Sequence, residues 1–257
     1  MCKMLRLQHD DPLALSLSGA IRNGNVTSLE QLVREHPDLV TARIEKDGKA
    51  RTPLHVATDW PGCFPNGLAV IAALIDAGAD PNARCEGMCH TETPLHWVAS
   101  SDDVGAFEVL VKAGADIEAL GGSIGGGTPL DNAVGYGQWQ VARRLVECGA
   151  RTKLWHAAAL GLMSRVEANF AGDAPPTPQE ITTAFYQACA SGQREPAEYL
   201  LWRGADINWI PNWGSKKRTP LDVARAYESA IGGRLSTEDL VEWLITRGAK
   251  SAAELTA

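Results

Sequence analysis

Apolar residues along the 257-residue chain recur in short bursts at helical spacing, and most bursts close on glycine. Val141-Ala142 and Leu145-Val146 show the pattern, repeating on one face of a helix. The closing motif is a leucine, an apolar neighbour, two variable residues and Gly-Ala. It reads Leu74-Ile75-Asp76-Ala77-Gly78-Ala79, Leu110-Val111-Lys112-Ala113-Gly114-Ala115, Leu145-Val146-Glu147-Cys148-Gly149-Ala150, Leu200-Leu201-Trp202-Arg203-Gly204-Ala205 and Leu244-Ile245-Thr246-Arg247-Gly248-Ala249. Glycine there suits the left-handed C′ position that ends a helix. An opening motif precedes it: Thr52-Pro53-Leu54-His55, Thr93-Pro94-Leu95-His96, Thr128-Pro129-Leu130-Asp131 and Thr219-Pro220-Leu221-Asp222. Thr before Pro puts an N-cap hydroxyl ahead of a residue that needs no N–H, so each predicts a helix start. Between the two motifs lie a short first helix and a longer second one. Each pair has an apolar face it cannot bury alone, so neighbours must stack.

The spacing shows where the pattern departs from regularity. From the motif Thr to the closing Gly the distance is 21 residues for Thr93, Thr128 and Thr183, taking Thr183-Ala184-Phe185-Tyr186 as a degenerate start. It is 26 from Thr52 and 29 from Thr219, which predicts turn-rich inserts at 60–67 and 228–235. The gap from Gly to the next Thr is 14 or 15 residues in the regular cases, but after Gly149 the next start is Thr152. A capping pair with helices around 13–23 and 28–35 precedes the first motif.

Both motifs resemble those of the ankyrin-repeat family, and together they cover almost the whole chain; the array looks like bacterial ankyrin proteins. The resemblance implies an all-α solenoid of about seven helix-turn-helix units with short β-hairpin fingers. It implies one domain over 1–257, with a cap at 1–50 and repeats at about 51–84, 92–120, 127–151, 152–173, 178–208 and 218–250. One finger, before Thr152, is missing. In that fold the fingers and first helices make a concave binding face, and one outward residue follows each motif His. Carried onto this sequence, those positions are Val56, Trp97, Asn132, His156, Gln187 and Val223, with Trp155 in the place of the motif His. Tyr136 lies further along a first helix, His90, Glu92, Trp209 and Trp213 lie on fingers, and Trp60 lies in an insert. The binding set is therefore Trp60, His90, Glu92, Trp97, Asn132, Tyr136, His156, Gln187, Trp209 and Trp213, recognising a protein or peptide partner. The missing finger predicts a notch over His156 bordered by Asn132 and Gln187.

Composition narrows the alternatives. A net charge of −7, a pI near 5.4 and no basic run longer than Lys216-Lys217-Arg218 argue against nucleic acid. No window approaches the roughly 18 consecutive apolar residues of a membrane span, and the first residues carry no apolar leader, so a soluble protein is expected. Six scattered cysteines suit reduced thiols in a cytoplasm. Cys85, Cys89 and His90, with Cys63 nearby, are soft ligand types, but their spacing fits no standard zinc knuckle, and neither metal nor cofactor is expected. The glycines of 121–127 lack the lysine of a phosphate loop. A second reading is a small-molecule binder or a hydrolase or cyclase, with Asp59, Asp102, Asp103 and His156 as acid and base near His156. Asp102-Asp103 stands where this family usually has Gly and a polar residue, and helix capping suffices to explain it.

Overall fold

The computed structural model describes residues 4–87, 90–172, 174–213, 217–230 and 238–256. By its contacts the chain divides into two compact units, 1–150 and 151–257. Unit 1 runs β1 (Arg6–Gln8), α1 (Pro12–Arg22), α2 (Val26–Glu35), a 3-10 turn (Pro37–Thr41), β2 (Arg43–Lys46), β3 (Lys49–Arg51), α3 (Pro53–Ala57), α4 (Gly67–Asp76), α5 (Pro94–Ser101), α6 (Val104–Lys112), α7 (Pro129–Gly135) and α8 (Trp139–Glu147). Unit 2 runs α9 (Leu154–Ala159), α10 (Met163–Ala168), α11 (Pro178–Ala190), α12 (Arg194–Trp202), α13 (Pro220–Ala230), α14 (Glu238–Thr246) and α15 (Ala252–Thr256). The seven expected helix pairs are present among the described residues, with α15 appended.

Within unit 1 the first helices pack in series, α1 on α3, α3 on α5 and α5 on α7, and the second helices follow as α2, α4, α6 and α8. In unit 2 the series is α9, α11, α13, and α10 packs on α12. Each interface buries the apolar stripe the sequence predicts: Leu54, Leu74, Leu95, Phe107, Leu110, Leu130 and Leu145 in unit 1 are fully enclosed. Phe185, Leu200, Leu221 and Leu244 play the same part in unit 2. Each such side chain contributes roughly 1.5–3 kcal/mol of burial.

The opening motifs act as the sequence implies. Thr52 N–H donates to His55 Nδ1 at 3.3 Å, and His55 N–H returns a bond to Thr52 Oγ1 at 3.4 Å. With Nδ1 accepting, the ring proton sits on Nε2, which reaches the Glu92 carbonyl at 3.0 Å. His96 repeats the arrangement with Thr93 and reaches the Gly127 carbonyl at 3.2 Å. Each motif histidine thus ties its own helix start to the end of the following finger. Burial pushes the His55 imidazole down to about 3, and it also lowers that of His96. In the Thr128 and Thr219 motifs a carboxylate takes the histidine's place: Thr128 N–H donates to Asp131 at 2.7 Å and Thr219 N–H to Asp222 at 3.0 Å.

The first finger is the β2–β3 hairpin, and β1 adds to it in parallel, a strand the periodicity did not predict. The next finger joins it through paired backbone bonds between Ala50 and Glu86. The third closes with Gly121 N–H donating to Gly126 and Gly122 N–H to Gly127. A Cβ on Gly122 would stand 2.6 Å from Asn132 Oδ1, so glycine is what lets this finger lie against α7.

Three expectations need correction. The unit after Gly149 starts one residue later than read: Lys153 N–H donates to His156 Nδ1 at 3.1 Å, so His156, not Trp155, holds the motif-histidine place. The helix read from Thr183 starts at Thr177, whose N–H and hydroxyl both donate to the Glu180 carboxylate at 2.8 Å, leaving Thr183 mid-helix. The second helix is not always the longer one, because α11 and α13 outrun α12 and α14. The insert at 60–67 forms the loop between α3 and α4, whereas 228–230 continue α13 and 231–235 lie outside the described residues. Between α8 and α9 the chain passes with no finger.

Candidate functional site

The first helices and fingers of unit 1 enclose an open pocket of about 430 Å3. Asp59 and Trp60 reach it from the loop after α3, His90 and Glu92 from the second finger, Trp97 and Ser100 from α5, and Ser123 from the glycine finger. Tyr136 and Gln138 come from the turn between α7 and α8. Such a volume falls in the range of ligand pockets.

Glu92 organises one wall. Its residue is only 8% exposed, yet its carboxylate lines the pocket. Oε2 accepts from Trp97 Nε1 at 3.1 Å, and Oε1 accepts from Ser123 N–H at 2.9 Å and Asn132 Nδ2 at 2.7 Å. All three donors are neutral, and among the described residues Glu92 makes no ion pair. Trp97 is fixed further by the His55 ring, which meets it edge to face at 4.9 Å. Asn132 also donates to Ser100 Oγ and accepts Ile124 N–H, which locks α7, α5 and the glycine finger into one frame.

The other carboxylate is balanced. Asp59 Oδ2 accepts from Arg51 at 2.9 Å and from Arg22 at 3.2 Å, while Oδ1 caps Trp60 N–H at 3.0 Å. Trp60 itself is 77% exposed. Tyr136 is half exposed, and its hydroxyl bonds to Ser123 Oγ at 3.1 Å.

Of the residues read from the sequence, Asp59, Trp60, His90, Glu92, Trp97 and Tyr136 meet in this pocket. Asn132 is fully buried and serves as the frame behind it, not as a surface contact. Gln138 was not singled out, although it follows Gly137 at the N-cap of α8, the place that Asp103 and Gln193 hold before α6 and α12. In unit 2, Trp209 and Trp213 form a separate cluster with Tyr186, rings crossing at 5.7 Å, 6.5 Å and 5.0 Å; Gln187 is part-buried on the same helix.

His156, expected to lie open in a notch, is not exposed. It is wholly buried, its ring tilted at 52° against that of Trp155 with centroids 4.1 Å apart, because the register places it at the motif-histidine position. Val56 and Val223 at outward-read positions are buried too. The acid and base set is likewise unsupported. Asp102 accepts Val141 N–H at 2.8 Å, and Asp103 accepts Ala106 N–H at 2.9 Å and Cys63 N–H at 3.0 Å, so both are engaged as caps. Asp59 is held by two arginines and His156 is enclosed.

Of the thiol cluster, Cys85 is buried, with its thiol pushed up chiefly by burial, and Cys89 lies outside the described residues. No group of three or more His, Cys, Asp or Glu among the described residues is placed to hold a metal. No described helix is long and apolar enough to cross a membrane.

Residues 63–156 match the family model for ankyrin repeats in three copies. Among curated proteins, "Protein fem-1 homolog A" of Bos taurus is 39% identical over 77 residues, 26% of this chain and 11% of that one. "Alpha-latrocrustotoxin-Lt1a" of Latrodectus tredecimguttatus is 24% identical over 174 residues, 66% of this chain and 10% of that one. "Palmitoyltransferase AKR1" of Kluyveromyces lactis is 32% identical over 107 residues, 41% of this chain and 13% of that one. The chain thus spans little more than a tenth of the length of these relatives. A crystal structure of the human ASB11 ankyrin repeat domain is 19% identical, with a TM-score of 0.49, over 86% of this chain and 97% of that one.

Proposed function

We propose, from the premise that this chain is an ankyrin-repeat protein and that such repeats generally bind proteins, that it recognises a protein or peptide partner through the open pocket of unit 1. The observation that carries this reading is the exposure of Trp60 and Tyr136 beside a wall already fixed by the Glu92–Trp97–Asn132 network. Large rings held ready at a surface are what anchor interfaces, because they bury much area at small entropic cost. Preorganised walls lower that cost further. The same reading puts the protein in a reducing cytoplasm, in keeping with free thiols at Cys63, Cys85, Cys148 and Cys189.

The test compares the full chain with its Trp60→Ala, Tyr136→Ala double variant, both immobilised and challenged with lysate of the source cells. A partner held by the wild type and weakened roughly thirty-fold or more in the variant supports the reading, since hot-spot aromatics contribute about 2 kcal/mol or more each. Equal capture by both sinks it.

A further inference from the structure

The pocket's chemistry goes beyond protein recognition in general. Three of its lining residues are aromatic, Trp60, Trp97 and Tyr136, and its buried carboxylate, Glu92, makes no ion pair among the described residues. The second carboxylate, Asp59, already has two guanidinium partners, so Glu92 is the pocket carboxylate without an ion pair among the described residues. An aromatic face attracts a cation through its quadrupole, most strongly where water is excluded. A carboxylate behind neutral donors adds a Coulombic attraction that an apolar or anionic guest cannot use. Of the remaining lining groups, His90, Ser100, Ser123 and Gln138, the last three can accept N–H donors through their side-chain oxygens.

Resting on the peptide-binding reading above, we propose that the pocket receives a lysine or arginine side chain of the partner, its charged head directed at Glu92 and its stem covered by the rings of Trp60, Trp97 and Tyr136. The long apolar stem with a charged tip fits this combination of walls. Charge complementarity sets the choice: the chain carries a net −7, and within the pocket Glu92 presents a carboxylate that makes no ion pair among the described residues.

The experiment selects a random-peptide library on the full chain and takes forward peptides whose binding is lost on Trp60→Ala, a truncation at an exposed position. Each peptide is then remade with norleucine for each lysine or arginine in turn, which removes the charge and keeps the stem. The expected result is one basic residue whose replacement weakens binding about ten-fold or more. Glu92→Gln should weaken the parent peptide far more than the norleucine version, which separates loss of charge from loss of shape. Because Glu92 is buried, a circular dichroism melt accompanies that variant, and Tyr136→Ala provides an independent exposed probe of the same wall. Pocket-dependent peptides that bind equally well as norleucine versions overturn the cation assignment and leave the groove reading standing. Selection yielding no peptide sensitive to Trp60→Ala or Tyr136→Ala overturns both. Binding of n-butylammonium as tight as that of the best peptide would make the occupant a free amine and overturn the peptide source.

Discussion

Units 1 and 2 solve the same stacking problem with different chemistry. In unit 1, long fingers lie over the helix starts, and His55 and His96 each bond a finger carbonyl beyond their own repeat. The same fingers supply Glu92 and Ser123 to the pocket, so the contact that holds the stack also builds the site. In unit 2, no finger precedes α9, and the long α11 supplies Ile181, Ala184, Phe185, Tyr186 and Cys189 to an apolar core. The Thr177 cap on that helix is answered by an exposed local carboxylate, Glu180, with no link to a finger. Cohesion through polar ties comes with a preformed, hydrogen-bonded concavity, whereas cohesion through apolar burial does not require one.

The sharpest way to break this comparison is a cavity in unit 2. Phe185→Ala removes a fully buried ring from the centre of its core and should cost about 3–5 kcal/mol, read from urea unfolding followed by circular dichroism. A loss below about 1 kcal/mol would mean that unit 2 does not depend on this packing.

Unit 1 should respond instead to its histidines. His55→Ala leaves the Thr52 N–H and the Glu92 carbonyl without their partner and should cost about 2 kcal/mol. The pH dependence carries the same signature. Burial holds His55 neutral down to about 3, while an unfolded chain protonates its histidine near 6.5. Between those values the unfolded state binds more protons, so this contribution is intact above about pH 6.5 and falls progressively as pH drops towards 3. His96, lowered for the same reason, acts in the same direction. Asp222 differs: burial raises its carboxyl, but N–H donors from Thr219 and Ala252 outweigh that and leave it below 3.8, so its contribution is lost only below the ordinary carboxylate range. Thermal melts from neutral to about pH 4 should show early weakening in the wild type and a flatter profile in His55→Ala; parallel profiles would remove His55 as the cause.

How far this was legible follows from where the motif chemistry is explicit. Thr-Pro-Leu-His and the closing Gly-Ala located the unit 1 helices to within a few residues, because capping and helix termination are local. Six of the nine residues lining the pocket could be read as candidates, since repeat geometry brings equivalent positions together. Register in unit 2 was harder. Lys153-Leu154-Trp155-His156 keeps only the histidine of the motif, with Leu154 at the proline place and Trp155 at the leucine place, and the adjacent Thr152 drew the reading one residue early. Thr177-Pro178-Gln179-Glu180 is a capping box by spacing alone, but the regular 21-residue distance to Gly204 favours Thr183 as the start. The bonds of Glu92 to Ser123 and Asn132 span 31 and 40 residues and have no local signal.

The smallest effect tests the finest feature of the comparison, the place where unit 1 departs from its own repeat. Gly24, Gly137, Gly161 and Gly192 occupy the turn between the two helices of a pair with φ of 67° to 72°, and Asp102 takes the same place at 55°. A side chain in that conformation costs roughly 1 kcal/mol relative to glycine. In return Asp102 reaches the next pair and accepts the Val141 N–H of α8, a cap that Gln138 does not make because its amide goes to the Ser100 carbonyl. A cap of this kind is worth about 1 kcal/mol. Asp102→Gly relieves the backbone and removes the cap, so its stability should stay within about 0.5 kcal/mol of wild type. Asp102→Ala keeps the strain and removes the cap, and should lose about 1–2 kcal/mol. Chemical denaturation of both variants reads the difference directly: if alanine and glycine are equivalent, the left-handed turn carries no strain at this position, and if glycine stabilises by about 1 kcal/mol, the cap from Asp102 to α8 contributes nothing.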